Sequence, residues 1–215
     1  MEPIPLKWWN ALRLMRIPFS IFLMPIYWFA LLHTTIDVTK AVSVFMILHL
    51  IVYPASNGYN SYFDRDEQSI GGMKMPPVVT KELWYVVIIF DALAVLLSLL
   101  VNYLFAVMVF IYLMISKAYS YDKIRLKKYP VVGALTVVIF QGFFTYLAIQ
   151  AGVSESFTIS ADNIAFGIVS SFFLLGSYPM TQIYQHEEDA KHGDVTLSRM
   201  LGIHGTFVFT GIVFF

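Results

Sequence analysis

The sequence contains no cysteine, and only 13% of its 215 residues are charged. The absence of cysteine excludes disulfide bonds, thiolate metal sites and a cysteine nucleophile. There are 14 basic and 14 acidic residues, so the net charge is zero and gives no electrostatic support for a nucleic-acid partner. Together with a hydrophobic content of 58%, this low charge excludes an ordinary soluble domain and predicts an integral membrane protein.

Apolar runs long enough to cross a bilayer recur along the chain. A spanning helix needs about 20 residues, and hydropathy predicts six such spans and the start of a seventh near Ile203. Because the chain stops at Phe215 within an apolar run, we expect the sequence to be C-terminally incomplete. We predict an all-α, polytopic transmembrane helix bundle that forms one membrane-embedded domain over residues 1–215. The six complete spans lie near Ile17 to Leu32, Thr39 to Gly58, Leu83 to Val101, Tyr103 to Ile115, Val131 to Gln150 and Ile164 to Met180.

Basic residues fall almost entirely on one side of these spans. Of the 14, all but Lys40 lie before the first span or after the second, fourth and sixth spans. Positive residues favour the cytoplasmic side of a membrane. The distribution therefore predicts that the N-terminus and these loops are cytoplasmic, and it supports the number of spans.

One polar segment occurs twice. The sequence YPASNGYNSYFD, at Tyr53 to Asp64, is matched without a gap by YPMTQIYQHEED, at Tyr178 to Asp189, with a constant offset of 125 residues. Each copy runs from an apolar segment into acidic residues. The internal repeat therefore predicts two pseudo-repeated halves whose helix ends face a common site. The paired polar positions are Asn57 with Gln182, Asn60 with Gln185, and Asp64 with Asp189.

Each copy places its polar residues at helical spacing. Asn57, Asn60 and Asp64 are separated by three and four residues, which puts them on one face of an α-helix. One interpretation is an amide cluster that joins helices within the membrane. Two carboxylates from two symmetric helices are better explained by a shared cation. Mg2+ fits, because it binds a few carboxylates and completes its coordination with water and phosphate oxygens.

The most basic stretch, SKAYSYDKIRLKKYP, follows the fourth predicted span. Its lysines have an ordinary interpretation as residues that contact anionic headgroups. If the helix continues, however, Tyr119, Lys123 and Lys127 align at intervals of four residues. A basic row beside two acidic helix ends indicates that an anion such as diphosphate binds together with a divalent cation. The apolar bundle would then hold an isoprenoid tail.

Three segments resemble the motifs of the UbiA-type intramembrane prenyltransferase superfamily. NSYFDRDEQ resembles the first motif, NxxxDxxxD, and YSYDKIRLKK resembles the YSxxx(I/L)RLK segment. QHEEDAKHGDVTLSRMLG resembles the second motif, DxxxD followed by Gly-x-x-Thr-Leu. The resemblance extends over essentially the whole chain, although the family generally has nine helices.

The resemblance implies Mg2+-dependent transfer of a prenyl group from a polyprenyl diphosphate to an aromatic or other lipid-precursor acceptor, with release of diphosphate. It implies that Asp64, Asp189 and Lys123 are catalytic. Gln68 and Gln185 stand where the motifs have aspartate. The predicted metal ligands are Asn60, Asp64, Gln68, Gln185 and Asp189, and the predicted substrate contacts are Asn57, Asn60, Tyr119, Lys123, Arg125, Lys127, Gln182 and Gln185.

The two glutamines leave a second hypothesis open. A protein with a degraded metal site could bind or carry an isoprenoid phosphate without chemistry. Four nearby acids could compensate for the missing aspartates, although helical spacing puts them on neighbouring faces. They are Asp66, Glu67, Glu187 and Glu188.

Overall fold

A computed structural model describes residues 4–215 of the chain. Within these residues seven helices are long and apolar enough to cross a membrane, which confirms the predicted helix bundle. Many large apolar side chains point outward, such as that of Leu100, which is 82% exposed. An apolar outer surface is what lipid contact requires. The helices are α1 (Leu6–Leu31), α2 (Val38–Asp64), α3 (Lys81–Val101), α4 (Tyr103–Ser120), α5 (Pro130–Val153), α6 (Ala161–His192) and α7 (Leu197–Phe214).

The repeat extends beyond the polar motif to whole helices. An offset of 125 residues carries residues 38–64 of α2 onto 163–189, which lie within α6. The same offset carries residues 6–31 of α1 onto 131–156, which nearly coincide with α5. Because each motif lies at the end of an equivalent helix, the repeat brings the two motifs to the same end of the bundle.

Polar side chains fix where several helices begin. Asp37 accepts a hydrogen bond from the backbone N–H of Lys40 at 3.1 Å and caps the start of α2. Asn102 accepts from the N–H of Phe105 at 2.8 Å and caps α4 directly after the end of α3. Such caps satisfy backbone donors that have no partner within the first helical turn.

The two copies of the motif differ in geometry. Before Pro54 the chain forms a π-helical turn over Leu48–Val52, and the first motif, Tyr53–Asp64, is then α-helical. In α6 the second motif is a 3-10 helix over Tyr178–Gln185 that becomes α-helical at His186. Both copies begin Tyr-Pro, so the missing amide hydrogen of proline disrupts the ladder of hydrogen bonds in each but does not explain why only the second is a 3-10 helix. The prediction of two identical α-helical faces is therefore wrong for the second copy.

A close contact between α5 and α6 supports the second half of the bundle. The π-helical turn Val138–Phe144 leaves backbone groups without their usual partners. The hydroxyl of Ser171 donates to the carbonyl of Val138 at 3.0 Å and accepts from the N–H of Phe143 at 3.1 Å. A Cβ atom at Gly142 would lie 2.6 Å from the Cα of Ser171, so only glycine permits this approach.

Candidate active site in the helix bundle

The motif ends of α2 and α6 meet at a cavity of about 270 Å³. Its polar end contains residues from both copies of the repeat. Aromatic rings also line the cavity, and they include those of Phe19, Tyr53 and Tyr112. The cavity thus combines charged side chains with an aromatic lining. The repeat residues that line it are Asn57, Asn60, Asp64, Gln182, Gln185 and Asp189.

Asp64 is the most heavily engaged carboxylate of the cavity. It is buried at the end of α2, and both of its oxygens accept hydrogen bonds from the ammonium group of Lys127. The same ammonium group donates to Oδ1 of Asn60 at 3.3 Å, and the hydroxyl of Ser120 donates to that oxygen at 2.8 Å. The carboxylate of Asp64 and the amide oxygen of Asn60 therefore bind one cationic group between them.

Arg125 joins Asp64 to the loop after α6. Its Nη2 donates to Oδ1 of Asp64 at 3.2 Å, and its Nε and Nη2 donate to the two oxygens of Asp194 at 2.8 Å. Burial by itself lowers the pKa of Arg125, but the hydrogen bonds to Asp194 and the charge of Asp64 give a net rise in that pKa. Arg125 does not line the cavity; it holds in place the segment that carries Lys127.

Tyrosine hydroxyls form a hydrogen-bonded chain across the cavity. Tyr119 of α4 and Tyr178 of α6 share a hydrogen bond, and Nε2 of Gln182 donates to the hydroxyl of Tyr178 at 2.8 Å. Oε1 of Gln182 accepts from the N–H of Ser198 at 3.3 Å. The predicted contact residues Tyr119 and Gln182 thus belong to one network that joins α4, α6 and α7 around the cavity.

Two acidic residues line the cavity beside Asp64. Asp189 accepts a hydrogen bond from the hydroxyl of Thr196 at 3.2 Å, and Gln185 lies one turn before it. Asp66 lies in the loop after α2, where burial raises the pKa of its carboxyl to about 6 and the charge of Asp64 adds to this effect. Each half of the chain therefore supplies at least one carboxylate.

Besides Arg125, two predicted site residues lie outside the cavity. Lys123 is exposed, because α4 ends at Ser120 and the predicted continuous helix through Lys127 does not exist. Gln68 is also exposed, because α2 ends at Asp64 and the helical spacing of the first motif stops there. Both predictions assumed helix where the chain has already turned.

Arg16 is a cavity residue that the sequence reasoning did not identify. It is buried, and its Nη2 donates to the backbone carbonyl of Asn57 at 3.3 Å. Among the described residues its Nε has no hydrogen-bond partner. The only local signal is a basic residue next to the Ile-Pro pair at the start of an apolar span. The cavity therefore has two cations in its lining, Arg16 and Lys127.

The donor set at the polar end suits a hard divalent cation. Asp64, Asp189, Asn60 and Gln185 offer carboxylate and amide oxygens, which are the ligands that Mg2+ prefers. The ammonium group of Lys127 is held by Asp64 and Asn60, so the oxygens of these two residues already surround a positive charge. The residues present therefore fit Mg2+.

The fold defines a polytopic helix bundle whose cavity is lined by acidic, basic and aromatic side chains. The family model described as the UbiA prenyltransferase family matches residues 22–215. The chain therefore belongs to the UbiA prenyltransferase family. This membership confirms the resemblance inferred from the three motifs.

Solved structures of similar proteins support the fold. A UbiA homolog from Archaeoglobus fulgidus bound to GPP and Mg2+ is 19% identical, with a TM-score of 0.73, and the match covers 95% of this chain and 73% of that chain. The same values hold for a UbiA homolog from that organism bound to DMAPP and Mg2+. A structure of digeranylgeranylglyceryl phosphate synthase is 20% identical, with a TM-score of 0.63, over 96% of this chain and 73% of that chain. The comparison with curated proteins gave no significant match.

Proposed function

We propose that this protein transfers a prenyl group from a polyprenyl diphosphate to an aromatic or other lipid-precursor acceptor, in a Mg2+-dependent reaction that releases diphosphate. The observation that carries the proposal is one cavity lined by carboxylates from both repeats, two cations and aromatic rings. Family membership supports this reaction class, as do the homologs solved with GPP or DMAPP and Mg2+.

Asn60, Asp64, Gln185 and Asp189 would hold the metal. Bound Mg2+ supplies positive charge that neutralises the departing diphosphate. Gln185 contributes a neutral oxygen where the motif has a carboxylate, which lowers the negative charge of the site. The proposal therefore involves fewer acidic ligands than the complete motifs would provide.

Lys127 and Arg16 are the groups of this chain that would bind the diphosphate. Both line the cavity, and the Nε of Arg16 has a free donor among the described residues. Lys127 would donate from its ammonium group to a phosphate oxygen, while Asp64 and Asn60 would be the residues that hold the metal. Charge-assisted hydrogen bonds of this kind are about twice as strong as neutral ones. Arg125 retains its bonds to Asp194 and keeps the Lys127 segment in place.

The aromatic part of the lining would contact the prenyl chain and the reacting carbon. It includes the rings of Phe19, Tyr53 and Tyr112, and aromatic faces attract cations. The bond between the allylic carbon and oxygen breaks with both electrons on the diphosphate. The acceptor nucleophile then bonds to that carbon and loses a proton. Exclusion of water by bound substrate would protect the allylic cation from hydrolysis.

Two isosteric substitutions test this proposal. Purified protein in detergent is incubated with labelled geranylgeranyl diphosphate, Mg2+ and a lipid extract as the source of acceptor, and released diphosphate is measured. Asp64→Asn and Asp189→Asn should each abolish release while circular dichroism stays unchanged. Glu67→Gln and Glu187→Gln are matched controls, because both glutamates are exposed neighbours of these positions.

The measured release of diphosphate distinguishes prenyl transfer from the carrier hypothesis. Release that depends on Asp64 and Asp189 supports prenyl transfer. Tight binding of the diphosphate without release, in the presence of the extract, favours the carrier hypothesis. Undiminished release by either asparagine variant would remove the metal role from that residue.

We further propose that the polar end of the cavity faces the cytoplasm. The basic residues of the N-terminal segment and of the loops after α2, α4 and α6 support this orientation. Since the chain has no native cysteine, single variants Lys123→Cys and Thr35→Cys report the two sides without background. A membrane-impermeant maleimide added to intact cells should label only Thr35→Cys, and labelling of Lys123→Cys instead would reverse the topology.

A further inference from the structure

A second, smaller cavity adjoins the candidate active site, and the reaction proposed above gives it no role. It lies between α4 and α5 and has a volume of about 60 Å³. Because several residues line both cavities, the smaller one is a side cavity of the site. The shared residues are Tyr112, Ser116, Tyr119, Val137 and Gln141.

The side cavity differs from the main cavity in charge. The main cavity is lined by acidic and basic side chains, whereas none of the described residues that line the side cavity is charged. Its polar groups are hydroxyls, which include those of Ser116 and Thr136, and the amide of Gln141. Among neutral dipoles inside a helix bundle, a charged group is far more costly than a neutral group that forms hydrogen bonds. The side cavity therefore favours an uncharged polar group over a carboxylate or a phosphate.

Gln141 is the polar residue whose position best suits binding of such a group. It belongs to the π-helical turn Val138–Phe144, and turns of this kind are frequent at functional sites. The hydroxyl of Tyr112 lies beside its side chain. A glutamine amide has two donor hydrogens and an acceptor oxygen, so one hydroxyl does not satisfy both of its polar atoms. A further partner for Gln141 is therefore favourable, because an amide without hydrogen bonds is costly in an apolar span.

The size of the side cavity limits what enters it. An engineered cavity of about 150 Å³ holds benzene. At about 60 Å³ the side cavity is too small for an aromatic ring, but it has room for a hydroxyl, carbonyl or methoxy group. Tyr119 at the boundary shares a hydrogen bond with Tyr178 of the main cavity. The body of a ligand would thus lie in the main cavity beside these tyrosines, and only a substituent would enter the side cavity.

We propose that the side cavity binds an uncharged oxygen substituent of the prenyl acceptor, and that Gln141 is the residue that selects it. The inference rests on the proposed function, because only a transferase has an acceptor. The prenyl diphosphate fits less well, since its chain has no oxygen to pair with Gln141 and its other end is charged. The acceptor class is therefore an apolar molecule that carries a hydroxyl, carbonyl or methoxy group at this position, rather than a carboxylate or a phosphate.

Two probes of nearly equal shape test the preference for a neutral group without turnover. They are 4-hydroxybenzamide and 4-hydroxybenzoate, which carry a neutral carboxamide or a carboxylate on the same ring. Binding to the purified protein in detergent is followed by saturation-transfer NMR, with protein-free micelles as the blank. Mg2+ and inorganic diphosphate are present throughout to occupy the charged side chains of the main cavity. The carboxamide should bind at least about tenfold more tightly, because the side cavity offers a carboxylate no counter-charge.

A substitution at Gln141 tests the residue itself. Gln141→Leu keeps the approximate size of the side chain but removes its hydrogen bonds, so it should weaken binding of the carboxamide about three- to tenfold, the effect of one neutral hydrogen bond. Gln68→Leu is the matched control, because it makes the same change at an exposed residue outside both cavities. In the transfer assay, Gln141→Leu should leave the KM for geranylgeranyl diphosphate unchanged.

The proposal would be overturned by undetectable binding of the carboxamide, by equal or tighter binding of the carboxylate, or by carboxamide binding that is unchanged in Gln141→Leu. A changed KM for geranylgeranyl diphosphate in that variant would also overturn it, by placing the prenyl chain in the side cavity. Carboxamide binding that depends on Gln141 without any diphosphate release would retain the neutral-ligand site and refute only the proposed reaction. The comparison of the two probes uses the unmodified protein, so it decides the question even if Gln141→Leu fails to fold.

Discussion

Replacing Arg125 by methionine should be strongly destabilising, because its guanidinium group bridges several acids at the polar end of the bundle. Its longest bond, at 3.3 Å, reaches Asp122, and shorter bonds reach Asp64 and Asp194. The side chain of Asp194 is 1% exposed, whereas that of Asp122 is 66% exposed. Methionine preserves only the unbranched apolar stem of the side chain and leaves the carboxylate of Asp194 buried without its main partner.

The expected magnitude follows from this burial. Removing one member of a buried ion pair costs about 3 to 5 kcal/mol, because the remaining charge is uncompensated. Nζ of Lys127 lies 4.0 Å from Asp194 and supplies part of the lost interaction. We therefore expect Arg125→Met to lower the free energy of unfolding by about 3 kcal/mol, the lower end of that range. Asp122→Asn removes only an exposed partner and should change it by less than about 1 kcal/mol.

The assay is reversible unfolding in mixed micelles, followed by circular dichroism, for Arg125→Met, Asp194→Asn and the double variant. Because both substitutions break the same contacts, the double variant should lose less stability than the sum of the single losses, by at least about 1 kcal/mol. Additive losses would show that the two side chains do not stabilise each other. A loss for Arg125→Met no larger than that for Asp122→Asn would refute the reasoning from burial.

Two further predictions use matched pairs. Lys127→Met should reduce diphosphate release at least about 100-fold, as loss of a charge-stabilising donor does in other enzymes. Lys123→Met should leave release near the wild-type rate, because that side chain is exposed outside the cavity. Equal effects on release would contradict the assignment. In the same unfolding assay, Gly142→Ala should destabilise the bundle by about 1 to 3 kcal/mol, because the added Cβ clashes with Ser171. Gly211→Ala should be neutral or stabilising, because an added Cβ meets nothing within 4 Å there.

The spans and the repeat could be predicted from the sequence because hydropathy and self-similarity do not depend on tertiary contacts. The ends of the helices could not be predicted in the same way. Hydropathy placed the end of the sixth span near Met180, but α6 continues to His192. Hydropathy measures transfer into lipid, whereas the polar turns after Met180 remain helical because they face a cavity and other protein segments.

Site residues that depend on the path of a loop were harder to predict. Lys123 and Lys127 look equivalent in the sequence, but Arg125 between them adopts a left-handed backbone conformation with φ of 41°. Such a conformation favours glycine, so an arginine gives no warning of it. Arg16 was missed because its role depends on a distant contact. Its partner is the backbone carbonyl of Asn57, which is 41 residues away in the sequence.

The same kind of turn explains which acid reaches the cavity after the first motif. If α2 continued beyond Asp64, residue 68 would follow one turn later on the same helical face. Instead, Arg65 adopts a left-handed conformation with φ of 52° and ends the helix. The chain then turns so that Asp66 lines the cavity and Gln68 is exposed. The glutamine at position 68 therefore removes no charge from the cavity, and its effect on metal binding should be far smaller than that of Gln185, which does line it.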